Sequence, residues 1–211
     1  MAADPKREGS GSVSAGNKGC LTLRHLPLII WFFAVAALMA ALAIGHWIAL
    51  PHPDPRDARL AAGVAELVRG APGWSAVHVL YTECRCSQRI VDHLLASERP
   101  GDVRETVVLV GDDASMAARL AARGYRVVPT APEALTARYG IEGAPVLIVV
   151  DPERAIRYVG GYTRRQQGPD ISDLSILRDL RAGAATDDLP VFGCAVSQRL
   201  KGLADPLAIK R

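Results

Sequence analysis

The sequence predicts an α/β domain with a mixed central sheet flanked by helices, preceded by a single N-terminal transmembrane helix. Three observations lead there. Short, uniformly apolar runs (Ala76–Tyr81, Glu105–Val110, Val146–Val150) read as strands too apolar to face water. Segments with apolar residues at helical spacing alternate with them, the order that builds a sheet covered by helices. Leu28 to Leu50 contains no Asp, Glu, Lys or Arg, and about 20 apolar residues suffice to span a bilayer.

Composition narrows the class. The 211 residues are 49% hydrophobic and 22% charged, a globular balance, and with 5% aromatics the core is mostly Ala, Val, Leu and Ile. A net charge of +3 without a basic stripe interleaved with aromatics argues against nucleic-acid binding. Four cysteines (Cys20, Cys84, Cys86, Cys194) are too few for a disulfide scaffold, so their placement matters more than their number.

Residues 1–25 are rich in Gly, Ser, Ala and charge and read as a disordered cytoplasmic tail. Residues 26–50 form the membrane span, with Trp31 and Trp47 near its ends as interfacial anchors. Lys6, Arg7, Lys18 and Arg24 precede it, which places the N-terminus inside and the rest of the chain outside. Ala41-Leu42-Ala43 offers a cleaved signal peptide as the alternative, but the tail is long and the apolar run is full length. Residues 51–58, beginning Pro51-His52-Pro53-Asp54-Pro55, read as a stiff linker.

Leu60, Val64, Leu67 and Val68 space a first helix, ended by Gly70-Ala71-Pro72-Gly73. After the strand Ala76–Tyr81, Ile90, Val91, Leu94 and Leu95 form one helical stripe. Cys84 and Cys86 therefore stand where a strand hands over to a helix N-terminus, which favours a thiolate. Arg85 and Arg89 should favour it further, Glu83 should oppose it, and Ser87 is the expected cap. Met116 and Leu120 mark a helix closed by Gly124; Tyr125–Val128 is a short strand or an extended connection; Pro132–Tyr139 is a short helix. Pro145 opens the strand Val146–Val150, and Ala155–Val159 returns antiparallel to it. Ile171, Leu174, Leu177 and Leu180 space a further helix; Val196, Leu200 and Leu203 suggest a last one with Cys194 at its start.

The cysteine turn after the first strand and the Gly143-Ala144-Pro145-Val146 turn before a later one resemble the two diagnostic motifs of the thioredoxin-like superfamily, over roughly residues 60–182. The resemblance implies a domain at 59–185, with 186–211 as a C-terminal extension carrying Cys194. It implies a cis Pro145 whose loop packs beside Cys84. With the anchor, the chain looks like the membrane-tethered, periplasm-facing members of that superfamily in the bacterial inner membrane. One departure is clear: the usual Cys-x-x-Cys is replaced by Cys84-Arg85-Cys86-Ser87, with Glu83 where a tryptophan is usual.

These residues predict a thiol–disulfide oxidoreductase in which Cys84 attacks and Cys86 resolves, with Cys194 as a third thiol and no cofactor required. Protein thiols or disulfides are the expected partners, including cytochrome or metal-centre assembly proteins as the resemblance implies. Three soft sulfurs (Cys84, Cys86, Cys194) also suit Cu(I), with His78 or His93 as a fourth ligand, so a copper metallochaperone is the alternative. A redox-inactive interaction module is the third reading.

Overall fold

The computed structural model describes residues 20–47, 49–166 and 168–204, in two compact units divided after His46. The first unit holds helix α1 (Cys20–Trp47) except for its last residue. Of the expected tail, 1–19 lie outside the described residues, while Cys20–His25 already belong to α1. Its apolar side chains from Leu28 to Phe33, with Leu38 and Met39, are exposed. Among the described residues no helix is long and apolar enough to cross a membrane.

The second unit is an α/β domain. Strands β1 (Ser75–Tyr81), β2 (Arg104–Val110) and β3 (Arg126–Thr130) run parallel, with the segment around Val127 and Val128 forming an edge strand. Strands β5 (Val146–Val150) and β6 (Ile156–Gly160) complete the sheet in the order β3-β2-β1-β5-β6; β5 is antiparallel to both neighbours. The period of two along β1 divides the core. Val77, Val79 and Tyr81 face helices α2 (Ala58–Leu67) and α5 (Pro132–Tyr139). Ala76 and Leu80 face α3 (Arg85–Ala96), α4 (Ala114–Ala122) and α6 (Asp173–Arg181). Gly63 lets α2 and α5 close on each other, since a Cβ there would stand 2.4 Å from the Tyr139 ring.

Two expectations at the start of this unit are corrected. Leu50, assigned by its apolarity to the membrane span, is buried here and its N–H donates to the Val191 carbonyl at 2.8 Å. Nor is the Pro51–Pro55 stretch a free spacer. Pro53 is buried, and the His52 ring Nε2 donates to the Leu189 carbonyl at 2.8 Å. The partners for both lie about 140 residues away, where no local pattern points.

The helix side of the sheet that holds α3 also buries a charged network. The Arg99 guanidinium lies 2.5 Å from Glu105 on β2 and 2.7 Å from Asp173 at the start of α6. His93 of α3 donates to the second Asp173 oxygen at 2.9 Å. His78 is fully buried with Nδ1 2.9 Å from the Tyr162 hydroxyl, while its Nε2 has no hydrogen-bond partner and lies 3.9 Å from Glu105. One guanidinium thus ties β2 to α6, and α6 to α3 through His93. Burial alone would raise the Asp173 pKa, but the His93 hydrogen bond and the Arg99 charge outweigh it and hold the carboxyl at about 2.

Removing one member of a buried ionic cluster strands the others. Arg99→Met should therefore lower stability by about 3–5 kcal/mol, read as a drop in the urea midpoint with an unchanged slope. Because the Asp173 pKa is depressed, its contribution is present above the ordinary value of 3.8 and lost as pH falls through about 2. Acid titration should show the wild type losing this stability between those limits, and Asp173→Asn should flatten that part of the curve.

Candidate active site

Strand β1 is buried along its length and ends at Tyr81, whose carbonyl accepts from the Cys84 N–H at 3.0 Å and so closes the turn through Thr82 and Glu83. Cys84 is the N-cap of α3, in extended conformation, and its carbonyl accepts the first helical bond from Gln88 N–H at 2.9 Å. Ser87 is not the cap. It lies inside the first turn, fully buried, and its hydroxyl accepts from the Tyr81 N–H at 3.0 Å, pinning the helix to the end of the strand.

Facing this turn is strand β4 (Gly143–Ala144), followed by a cis Ala144–Pro145 peptide. Cys84 Sγ lies 3.7 Å from the Ala144 carbonyl oxygen, within reach of a weak S–H donation when the sulfur is protonated. Cys194, expected at a helix start, lies instead in strand β7 (Cys194–Ala195), antiparallel to β4 with Cys194 opposite Ala144. The helix α7 (Gln198–Ala204) begins later; Val196 precedes it and Leu203 is exposed. The β7 segment is held from both sides. The Val196 and Ser197 N–H groups donate to the Glu142 carbonyl at 2.7 and 3.1 Å. At Gly193 a Cβ would stand 1.9 Å from the Ala144 oxygen.

Cys84 belongs to one core cluster, Cys86 and Cys194 pack against the same cluster, and all three are free thiols. Cys84 is completely buried, whereas Cys86 and Cys194 are half-buried. Hydrogen bonds from Cys194 and then Cys86 favour the Cys84 thiolate against the cost of burial, and the Ser87 and Cys86 N–H groups add to them. The Cys84 pKa is pushed far below the ordinary thiol range. Cys86 and Cys194 are pushed up, each because it donates to Cys84, with burial adding to the effect.

The flanking charges are distributed differently from what their sequence positions suggest. The Arg89 charge acts on Cys86, and the guanidinium itself is bound to the Gly168 carbonyl. Glu83 accepts the Tyr81 hydroxyl at 2.5 Å; burial and this bond push the phenol up to about 12. Lys201 of α7 donates to the same hydroxyl at 3.3 Å, stands over the ring, and opposes the upward shift of Cys194. Sequence reading missed Lys201, which has no local motif. Beside the sulfurs a groove of about 290 Å³ is lined by Arg85, Cys86, Arg89, Ile90, Pro145 and Phe192, among others. His78 and His93 belong to the Arg99 network, with no sulfur among their partners. Among the described residues no group of three or more His, Cys, Asp or Glu is arranged to hold a metal ion. Cys20 opens α1 in the other unit.

No family model and no curated protein matches the chain. Solved structures do. A hypothetical protein of Sinorhizobium meliloti is 17% identical over 71% of this chain and 90% of its own, with a TM-score of 0.49. A secreted Mycobacterium tuberculosis disulfide oxidoreductase, described as homologous to E. coli DsbE, is 12% identical over 52% of this chain and 81% of its own, with a TM-score of 0.39. The thioredoxin domain of a Bacteroides vulgatus thiol-disulfide oxidoreductase is 17% identical over 41% of this chain and 68% of its own, with a TM-score of 0.33.

An ordinary thiol alkylates about tenfold faster for each pH unit below its pKa near 8.5, because only the thiolate reacts. Cys84 should show a rate independent of pH from 6 to 8 with iodoacetamide, followed by mass spectrometry. Replacing either donor with a side chain that cannot donate, in Cys194→Ala or Cys86→Ala, should raise its pKa, the former more. A Cys84 rate rising in proportion to hydroxide would contradict this assignment.

Proposed function

We propose that the chain is a thiol–disulfide oxidoreductase tethered to the outer side of the bacterial inner membrane, N-terminus inside. The observation that carries the reading is the Cys84 sulfur at the N-cap of α3, 3.7 Å from the Ala144 carbonyl oxygen beside the cis Ala144–Pro145 peptide, with two further free thiols packed against the same core cluster. A protein disulfide R–S–S–R′ is attacked by the Cys84 thiolate, giving a Cys84–S–S–R mixed disulfide and releasing R′–S⁻. A neighbouring thiol, Cys86 or Cys194, then attacks the Cys84 sulfur and releases R–SH. The client gains two electrons and the protein acquires one disulfide. No cofactor enters this balance. Clients that must be kept reduced for cytochrome or metal-centre assembly fit the chemistry.

Anchoring is supported by the uncharged run from Leu28 and by the basic residues ahead of it. Leu50 is buried in the second unit and lies outside α1 (Cys20–Trp47).

The test is reduction of a model disulfide protein, insulin, by the full-length chain with a thiol donor. Turnover is expected, and Cys84→Ser should bring it to the uncatalysed rate while leaving the thermal midpoint within about 1 kcal/mol of equivalent stability. Stoichiometric Cu(I) binding without any turnover would favour the metallochaperone instead. For the topology, an alkaline phosphatase fused after Arg211 should be active in a bacterial host and a cytosolic reporter there should not.

A further inference from the structure

The buried sulfur has two neighbours, and their settings differ. Cys86 shares the first turn of α3 with Cys84, and that turn is already fixed by the Gln88 N–H to Cys84 carbonyl bond and by Ser87 pinned to Tyr81. Closing a bond between residues two apart in the sequence makes a small ring, and disulfide geometry is demanding. That ring would have to form within a turn already held by both bonds. Cys194 comes from outside the helix. Its register partner is Ala144, and opposed Cα atoms in an antiparallel pair lie about 4.5–5.5 Å apart. The Ala144 carbonyl oxygen itself is 3.7 Å from Cys84 Sγ.

The position of β7 is also built rather than incidental. Gly193 has no room for a Cβ against Ala144 and Pro145, and Glu142 receives two N–H groups from the residues that follow Cys194. Val191 and Val196 are buried on either side, and Leu50 bridges to Val191. This segment delivers one sulfur to the place where Cys84 is reached.

We propose, on the basis of the thiol–disulfide reading above, that Cys194 rather than Cys86 is the resolving thiol, so that the oxidised protein carries a Cys84–Cys194 disulfide joining the C-terminal segment to the start of α3. With glutathione disulfide as oxidant, the Cys84 thiolate takes one glutathione as a mixed disulfide and releases the other as thiolate, which takes a proton from water. The Cys194 sulfur then bonds to Cys84, and its proton leaves with the second glutathione. One disulfide is consumed and one is formed.

The sequence makes the test direct. Trypsin cuts after Arg69, Arg85, Arg89, Arg181 and Arg199, which puts Cys84, Cys86 and Cys194 on three different peptides. The full-length Cys20→Ser chain is reduced, treated with glutathione disulfide, alkylated and digested without reductant. Peptide 70–85 is expected linked to 182–199, in about tenfold excess over its link to 86–89. Cys194→Ser should accumulate glutathione on Cys84, while Cys86→Ser should keep the link to 182–199. Predominant linkage of 70–85 to 86–89, or lasting glutathione on Cys84 in the parent chain, overturns the assignment of Cys194 and leaves the oxidoreductase reading standing. A Cys84 that takes neither glutathione nor a partner overturns both.

Discussion

Burying a charge is costly unless donors surround it, and the Cys84 sulfur is completely buried. Everything about the site follows from how that cost is met. A helix N-terminus supplies N–H groups, and two thiols supply hydrogen bonds, so the negative form is favoured where an isolated buried thiol would stay protonated. The donors are cysteines rather than serines or backbone groups, and this changes their meaning. A hydroxyl in either place would stabilise the charge equally well and end there. A thiol that donates to a thiolate is also a sulfur, and thiol–disulfide exchange is chemistry open to it.

The scaffold that holds this arrangement divides its labour between the two faces of the sheet. On one face α2, α5 and the C-terminal segment pack on Val77, Val79 and Tyr81, and Cys84 joins that cluster. On the other, the body of α3 packs on Ala76 and Leu80, and the Arg99–Glu105–Asp173–His93 network ties α3 to α6 and β2. Helix α3 therefore begins on one side of the sheet and is anchored on the other. The helix is thus fixed at both ends, with Ser87 of its first turn bonded to Tyr81 and His93 of its last turn bonded to Asp173. Such fixing is what keeps N–H groups aimed at a sulfur without a further loss of entropy.

Most of this scaffold was legible in the sequence because it is written locally. Uniform apolar runs gave β1, β2 and β5; the Ile90, Val91, Leu94 stripe gave α3; Pro145 ahead of Val146–Val150 gave the turn that meets Cys84. What was not legible depends on distant partners. Strand β7 has two residues, too few for any period, and its place is set by Ala144, fifty residues earlier. The amphipathic spacing after Cys194 correctly signals a helix but starts it too soon, because Val196 is buried by the strand and not by the helix. Pro51–Pro55 has the composition of a spacer and is packed only because Leu189 and Val191 return to it. His78 and His93 resemble spare ligands until Tyr162 and Asp173 are brought beside them.

The placement of β7 also bears on why the most nucleophilic sulfur is the least accessible one. Cys84 is sealed, whereas Cys86 and Cys194 are each partly exposed. If β7 served only to shield the thiolate, an apolar residue at 194 would do so better, since a half-exposed thiol neither excludes water well nor resists oxidation. If it served only to stabilise the charge, a serine would suffice. A cysteine at that position, opposite Ala144 and beside a lysine that partly offsets the upward shift of its pKa, meets a third requirement, the one that the proposed disulfide makes of it. The segment that carries it is fixed by Gly193 on one side and Glu142 on the other, so the position of residue 194 opposite Ala144 is set by the backbone.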